Sequence, residues 1–524
     1  MRVKVRVLVG KITGFINTPW EIESNGIYEV DEKDLIKLEG DYIAEGVMED
    51  STRIVYPSLS GAYDLFFLNN NHKGLLYSND FFWIVKQQGK VTYDYQQLDF
   101  FLKKGYLMPG KTFFNEVKRV ELGKALKING DNVDIVKLCI DEWNIGYKQF
   151  LSTIKYSILN RMKSGNKNIL LFSGGKDSGF LSVFLKKEFG IDPILYTGNY
   201  VEPSGFRMNE KDIERGKIYK EKLGLDLRYS DVNINDFSVD KILYLVERMP
   251  MASHLSVLFQ FLFNKISELD GDISVWTGQN ADTVYGLGNT GSNIPNILTR
   301  YMLTNHYINS FSDTKNKVAG RILGQLIGKS YQIKRGIKLY PPRYSYDFID
   351  KAMNGIIMMS DSPLPDKRSI TRNVNSDDVR KVVWENYQSA HLTGMDHQII
   401  RNAGDERIER NFPFSSVRSM LMFRSIRFGL KDIMHPKYYI SRYLKEFWGR
   451  KLYDKLYPVD LSFLKINKDI SNFEDNIFDT NYGKSMLDYL GMKKSDSMNL
   501  QNVISKVWLK RMEEIIKSEG IEIR

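Results

Sequence analysis

The sequence of 524 residues contains a single cysteine, Cys139, which excludes an internal disulfide and any zinc site built from several cysteines. Proline is also sparse, at 14 residues, so a proline-rich disordered or fibrous chain is excluded. No apolar run reaches the roughly 18 residues that a membrane span needs. We therefore expect a folded protein from a reducing compartment, with the cytoplasm as the default location.

Charge of one sign is only mildly in excess. Lys and Arg total 74 and Asp and Glu total 64, giving a formal net charge of +10, and the basic residues are scattered along the chain. A dedicated nucleic-acid binder more often has a dense basic run. The charge pattern therefore favours a smaller anionic ligand, such as a nucleotide or an acidic peptide, and does not demand RNA.

The pattern of apolar residues changes near residue 142. Up to that point, short runs of Val, Ile, Tyr and Phe alternate with turn residues, which is typical of antiparallel sheets. Beyond it, short apolar runs such as 168–172 and 273–276 alternate with helical periodicity, and after about residue 290 the pattern is mostly helical. We therefore expect two domains, 1–142 and 143–524, the second being a parallel α/β domain with a helical elaboration.

The strongest functional signal lies in residues 168–180, NILLFSGGKDSGF. An apolar run, two adjacent glycines and an amphipathic stretch predict a strand, a tight loop and a helix whose first N–H groups and dipole bind an anion. Asp177 at the helix start can bind the Mg²⁺ that accompanies a nucleotide, and the hydroxyls of Ser173 and Ser178 can donate to phosphate oxygens. The chain has no Walker A pattern, so an ordinary ATPase or kinase loop is disfavoured.

This loop resembles the signature of the PP-loop ATP pyrophosphatase superfamily, whose members cleave ATP between the α and β phosphates. Three further segments, in the expected order, are similar to those of the asparagine synthetase family: 275–286 (VWTGQNADTVYG), 410–415 (RNFPFS) and 436–442 (PKYYISR). The resemblance implies that Asp282 is a magnesium ligand beside Asp177, and that Lys437 faces the reacting phosphates. A cation there would balance the charge that builds on the transferred group.

The amino-terminal region is similar to the glutaminase domain of the same family, in segments 77–80, 107–112 and 117–127. The family's nucleophile is a cysteine exposed as the mature first residue, whereas here Met1 is followed by Arg2. Cys139 lies at the far end of the domain and cannot supply that geometry. The resemblance therefore implies an Ntn-hydrolase-like antiparallel β-rich (αββα) domain that does not hydrolyse glutamine, followed by a PP-loop synthetase domain.

Departures from the family pattern bear on the substrate. Relatives without the cysteine include β-lactam synthetases, carbapenam synthetases and lasso peptide cyclases, which adenylate a carboxylate and let an amine of the same molecule attack it. Gln279 stands where asparagine synthetases have Glu and β-lactam synthetases have Tyr, and glutamine cannot act as a base. Asn280 and Thr283 also replace a glycine and an acidic residue. These changes favour a peptide macrolactam, which needs little help from a base.

We therefore expect an ATP- and Mg²⁺-dependent amide-forming ligase that acts on a peptide or a specialised metabolite. A role in peptide processing would be compatible with a partner protein of the same biosynthetic pathway. We do not expect a nucleic acid or a membrane as partner. Three alternatives stay open: an amidating synthetase for another carboxylate, such as a sugar acid, a PP-loop tRNA-modifying enzyme, and a catalytically inert binding protein. The expected catalytic residues are Lys437, Asp177 and Asp282, the metal ligands are Asp177 and Asp282, and the nucleotide-binding residues are Ser173, Gly174, Gly175, Lys176, Asp177, Ser178, Thr277 and Gly278.

Overall fold

The computed structural model of the chain describes residues 2–15, 28–70, 74–108, 110–138, 146–201, 210–233, 254–281, 407–425, 437–457, 477–494 and 500–524, with isolated positions between 238 and 246 and between 400 and 403. Together these residues form a mixed α/β fold with both antiparallel and parallel sheets. Cys139, Asp282 and most of the region expected to be helical after residue 290 lie outside the described residues. None of the described helices combines the length and apolar character that crossing a bilayer requires.

The first region contains two antiparallel sheets. Its elements are β1 (Arg2–Phe15), β2 (Tyr28–Asp31), β3 (Leu38–Met48), β4 (Arg53–Pro57), β5 (Phe66–Asn70), β6 (Gly74–Ser78), α1 (Phe81–Lys86), β7 (Lys90–Val91), α2 (Tyr95–Lys104), β8 (Lys118–Arg119), β9 (Lys124–Asn129) and β10 (Asn132–Lys137). The strand orders are β10-β9-β4-β3-β1-β2 in the larger sheet and β6-β5-β8 in the smaller. In β1, Val3 and Val5 are buried whereas Arg2 and Lys4 are exposed, which is the alternation that predicts a strand.

The two antiparallel sheets pack face to face. Ile43 of β3, Val55 of β4 and Phe67 of β5 belong to one buried cluster between the sheets. Their neighbours Tyr42 and Tyr56 belong to a second core on the other face of the larger sheet. The helices α1 and α2 cover the outer face of the smaller sheet. The expected antiparallel β-rich region is therefore confirmed at this level of detail.

The second region is built around a five-stranded parallel sheet. Its elements are α3 (Tyr147–Leu159), β11 (Lys167–Leu171), α4 (Lys176–Phe189), β12 (Ile194–Val201), α5 (Glu210–Leu223), β13 (Leu227–Asn233), α6 (His254–Ser267), β14 (Ile273–Thr277), β15 (Ile408–Asn411), α7 (Val417–Ser425) and α8 (Tyr438–Leu456). The strand order is β13-β12-β11-β14-β15. All five residues of β14 are buried, as expected for a parallel strand covered on both faces. The expected parallel α/β sheet is thus confirmed.

This strand order creates a switch point between β11 and β14. The chain leaves β11 through β12 and β13 on one side, then places β14 and β15 on the other side. Connections that leave two neighbouring parallel strands in opposite directions open a crevice at the carboxyl ends of those strands, where ligands bind in such sheets. Leu171 and Thr277, the last residues of β11 and β14, are paired in register. The loops that follow these two strands therefore start side by side.

The last described residues pack back onto the antiparallel region. They form α9 (Asn481–Leu490), α10 (Leu500–Ser518) and β16 (Glu522–Ile523), and β16 pairs with β7. Ser505 Oγ donates to the carbonyl oxygen of Phe101 at 3.1 Å, and Trp508 is fully buried in the cluster that covers α1 and α2. Ser485 Oγ accepts a hydrogen bond from the backbone N–H of Val239 at 3.0 Å. This segment, which carries no recognisable motif, thus contacts both regions.

Candidate active site

The loop between β11 and α4 is closed by Ser178. The Ser178 hydroxyl accepts a hydrogen bond from the backbone N–H of Ser173 at 3.2 Å and lies 3.3 Å from Ser173 Oγ. Gly174 has a φ of 63°, a left-handed conformation that glycine adopts without steric cost. Gly175 precedes the helix and, as a glycine, has no side chain of its own to cap the start of α4. In this arrangement the first N–H groups and the dipole of a helix can bind an anion.

Gly278, the first residue after β14, packs directly against the start of α4. A Cβ atom added to Gly278 would lie 2.9 Å from both the Cβ of Asp177 and the backbone nitrogen of Ser178. The neighbouring Thr277 is buried, and its hydroxyl accepts a hydrogen bond from the backbone N–H of Gln279 at 3.1 Å. The two segments that the sequence predicts to bind nucleotide are therefore in contact.

Lys437 reaches the same place from a position 260 residues further along the chain than Asp177. Its Nζ donates to Asp177 Oδ2 at 2.5 Å, and the side chain is only 4% exposed. Burial lowers the pKa of Lys437, and the Asp177 carboxylate opposes this effect. The backbone of Lys437 has a φ of 60°, immediately before α8, so the residue begins this helix in a conformation that is uncommon for a side chain of this size.

The second carboxylate oxygen of Asp177, Oδ1, is buried and accepts no hydrogen bond from the residues that the structure describes. Leaving such an atom unsatisfied costs about 1–3 kcal/mol or more. A divalent cation prefers carboxylate oxygen as a ligand and would satisfy this atom. This unsatisfied oxygen of Asp177 is therefore consistent with the magnesium ligand expected from the sequence.

Two residues of α5, which the sequence analysis did not select, also adjoin the loop. A Cβ atom added to Gly174 would lie 2.9 Å from Asp212 Cα and 3.2 Å from Arg215 Cδ. Arg215 Nη1 lies 3.4 Å from the Gly174 carbonyl oxygen and 3.5 Å from Asp212 Oδ1. Burial raises the pKa of Asp212 to about 6, and Arg215 opposes this effect. The signal that could have identified Asp212 and Arg215 is topological. Because α5 follows β12, which lies next to β11, the start of α5 lies at the same edge of the sheet as the loop after β11.

Asn280 connects the loop after β14 to the turn before α7. Its Nδ2 donates to Ser415 Oγ at 2.6 Å, and both residues are buried. Asn280 has a φ of 68°, a left-handed conformation that asparagine and glycine tolerate better than other residues do. The residue type at this position thus suits the conformation that the backbone adopts here.

The remaining expected residues have separate surroundings. Lys176 Nζ lies 5.9 Å from the centre of the Tyr453 ring, on the side of α8. The Arg410 guanidinium donates to the Ile408 carbonyl oxygen at 2.6 Å and lies over the Phe263 ring, so it supports the scaffold. Asp282, the expected second magnesium ligand, lies just beyond the described range 254–281.

No protein-family model matches this sequence, and no curated protein is significantly similar to it. The function is therefore inferred from the residues of the site and from their arrangement.

Proposed function

We propose that this chain is an ATP-dependent amide-forming ligase. It adenylates a substrate carboxylate, releases pyrophosphate and joins the acyl group to an amine, without hydrolysing glutamine. The substrate class that we favour is a peptide or specialised metabolite that closes a macrolactam or lactam on itself. The observation that carries the proposal is the buried contact of Lys437 with Asp177 at the glycine-rich loop after β11.

The proposal interprets the parallel sheet as a PP-loop synthetase domain and the antiparallel sheets as an Ntn-hydrolase-like domain. Its support is the switch point between β11 and β14, and the stacking of two antiparallel sheets with helices outside. Strand β1 contains no cysteine that could hydrolyse glutamine. Arg2 at its start points into solvent and lies 3.7 Å from Glu29. Ammonia from glutamine is therefore not the nucleophile in this proposal.

The chain's own groups would bind the ATP phosphates through the uncapped start of α4 and the hydroxyls of Ser173 and Ser178. Asp177 would hold Mg²⁺, which supplies charge neutralisation to the phosphates when bound. Burial lowers the pKa of Lys437, and the Asp177 carboxylate at 2.5 Å opposes this effect and favours the charged form. In its charged form, Lys437 can stabilise the negative charge of the departing pyrophosphate.

The chemistry itself occurs in two displacements. A substrate carboxylate oxygen bonds to the α-phosphorus as the bond from that phosphorus to the bridging oxygen breaks and pyrophosphate leaves. An amine nitrogen then bonds to the acyl carbon, the bond from that carbon to the AMP oxygen breaks, and the amine proton passes to water. Gln279 has no titratable group, so positioning and charge balance supply most of the rate.

The test is ATP–pyrophosphate isotope exchange with Mg²⁺ across amino acids, sugar acids and peptides that carry Asp or Glu near an amino terminus. We expect exchange that depends on one class of carboxylate, and Asp177→Asn should abolish it. The matched control is Asp192→Asn, because Asp192 is an exposed carboxylate just beyond the opposite end of α4. Absence of exchange with every carboxylate, together with tight tRNA binding, would overturn the proposal in favour of a tRNA-modifying enzyme.

A further inference from the structure

A carboxylate of the antiparallel region caps a helix of the parallel region. Glu39, in β3, is 2% exposed. Its Oε1 accepts a hydrogen bond from the backbone N–H of Val417 at 3.1 Å, and its Oε2 accepts one from Arg418 at 3.0 Å. These are the first two residues of α7. A negative charge at this position satisfies two unpaired donors and interacts favourably with the helix dipole.

The capping carboxylate belongs to a cluster of charges in which Glu39 and Arg161 are buried and the other members are partly buried. Arg161 Nη1 lies 3.7 Å from Glu39 Oε1, and Arg161 Nη2 lies 3.6 Å from Asp41 Oδ1. Arg401 Nη1 lies 3.1 Å from Asp41 Oδ2. Burial raises the pKa of Glu39 and is opposed by Arg161, whereas at Asp41 the two arginines outweigh burial and hold its pKa below the usual range. Removing one member therefore leaves a buried partner uncompensated.

The turn that precedes α7 is held by hydrogen bonds from α3 and from α7. The Pro413 carbonyl oxygen accepts hydrogen bonds from Ser157 Oγ at 2.9 Å and from Ser419 Oγ at 3.0 Å. Ser157 lies on α3, and its hydroxyl also lies 3.2 Å from Arg161 Nη1. Residues 413–416 are all buried. The position of this turn thus depends on the same cluster that holds Glu39.

The turn leads directly to the candidate active site. Ser415 Oγ accepts the hydrogen bond from Asn280 Nδ2, and the Ala281 backbone N–H donates to the Gly278 carbonyl oxygen at 3.3 Å. Gly278 in turn packs against Asp177. A continuous series of contacts therefore runs from Glu39 through the buried turn to the loop that contacts the expected magnesium ligand.

We propose that Glu39 is a positioning residue for the nucleotide site, acting through the turn at 413–416 and through Asn280. This inference rests on the proposed function. It gives the antiparallel region a role that needs no cysteine, because β3 sets the position of α7 and thereby of residues 277–281. Loss of the Glu39 charge should loosen those residues and weaken MgATP binding before the fold is lost.

The first experiment measures MgATP binding by titration calorimetry in Glu39→Gln and in the control Asp64→Asn. Asp64 is also a buried carboxylate of the antiparallel region, and it lies 3.7 Å from Arg119 without capping α7. We expect Glu39→Gln to raise the Kd for MgATP about tenfold. Asp64→Asn should leave the Kd for MgATP within about twofold of the wild-type value, once any difference in thermal stability between the two variants has been taken into account. Equal effects of the two variants would overturn the inference.

Ser415→Ala breaks the contact with Asn280 without touching Glu39. If Glu39 and Ser415 act through one series of contacts, the variant that combines Glu39→Gln with Ser415→Ala should have about the same Kd for MgATP as whichever single variant binds MgATP more weakly. Fully additive losses would show that Glu39 acts by another route.

Hydrogen exchange of the ligand-free chain separates this inference from the proposed function. Glu39→Gln should speed amide exchange in residues 277–281 relative to both the wild type and Asp64→Asn. Unchanged exchange there would overturn the role of Glu39, whatever the ligand. If the wild-type chain binds no MgATP but exchange at 277–281 still responds to Glu39→Gln, the positional coupling stands and the proposed function is wrong.

Discussion

Lys437 combines burial, a left-handed backbone conformation and an ion pair with an aspartate 260 residues away. Burying an ammonium group is costly unless a partner compensates for it, and Asp177 is that partner. A buried ion pair is weak evidence for a stabilising role, because apolar residues of the same size can often replace such a pair without loss of folding stability. Its position beside the glycine-rich loop after β11 is therefore the reason for proposing a functional role for the pair.

Lys437→Met keeps the length of the side chain and removes its charge. We expect the rate of ATP–pyrophosphate exchange to fall by about 10²–10³, the usual effect of removing one transition-state charge stabiliser. Lys445→Met is the control, because Lys445 is exposed on the same helix, 5.0 Å from the Tyr453 ring centre. Comparable exchange rates in the two variants would contradict the role of Lys437.

The raised pKa of Asp212 predicts how the stability of the chain depends on pH. Because burial raises the pKa of Asp212 from 3.8 to about 6, the folded chain holds this proton more tightly than the unfolded chain does. The resulting stabilisation is complete below pH 3.8 and is lost as the pH rises through about 6. At about 1.4 kcal/mol per pKa unit, this corresponds to about 3 kcal/mol.

Asp212→Asn removes this titration, so the variant should gain stability over the wild type on going from pH 4 to pH 8. The free energy of unfolding in urea at both pH values measures the difference. Glu214→Gln, an exposed carboxylate change on the same helix, should show no comparable trend. If the wild type instead became increasingly more stable than Asp212→Asn as the pH rises, the direction assigned to the pKa shift of Asp212 would be wrong.

At the scale of elements, the site depends on two loops that start side by side and touch. Gly278 permits that contact, because a Cβ atom there would lie 2.9 Å from backbone and side-chain atoms at the start of α4. Separations under about 3 Å force one element to move, and inserting atoms into a packed contact costs about 1–3 kcal/mol. The glycine therefore sets the distance between β14 and α4.

Gly278→Ala should lower the free energy of unfolding by about 1–3 kcal/mol and weaken MgATP binding together with it. Gly89→Ala is the matched control, because a Cβ atom at Gly89 meets nothing within 4 Å. Calorimetric titration with MgATP and urea denaturation report the two effects. Unchanged MgATP affinity in Gly278→Ala would show that the two loops do not form one site.

At the scale of the whole molecule, the carboxy-terminal segment ties the two regions together. α10 and β16 contact α1, α2 and β7 through apolar side chains and strand pairing. In addition, the hydroxyl of Tyr93, which lies between β7 and α2, donates a hydrogen bond to Glu513 Oε1 of α10 at 2.6 Å. α9 adds the contact of Ser485 with Val239 near β13. The antiparallel region is thus covered by chain that is distant in sequence.

Trp508→Ala removes a fully buried side chain from this contact and should lower the free energy of unfolding by about 3–5 kcal/mol. Trp83→Ala removes the same side chain from a site on α1 that is 42% exposed, and should cost about 1 kcal/mol or less. Urea denaturation, with hydrogen exchange followed in residues 81–104, compares the two. Equal losses would mean that α10 is not integral to the fold of this region.

Local features of the fold could be predicted from the sequence because each is encoded by neighbouring residues. The alternation of Arg, Lys and Val in β1 shows which face of the strand is buried. The order of apolar run, two glycines and amphipathic stretch predicts β11, its loop and α4, and the structure differs from that expectation by only a few residues at the boundaries. The assignment of roles to Asp177, Lys437 and Asp282 stays a prediction.

Only the tertiary structure decided which distant residues meet. Separate sequence motifs select Asp177 and Lys437, but the burial of their ion pair depends on how the loop after β11 packs against the start of α8. The position of Asp212 depends on where β12 lies in the sheet. Glu39 is one of many acidic residues until β3 places it at the start of α7. The physical reason is that burial, partner distance and unsatisfied hydrogen-bonding groups arise from the packing of elements hundreds of residues apart, whereas propensity and periodicity act over a few residues.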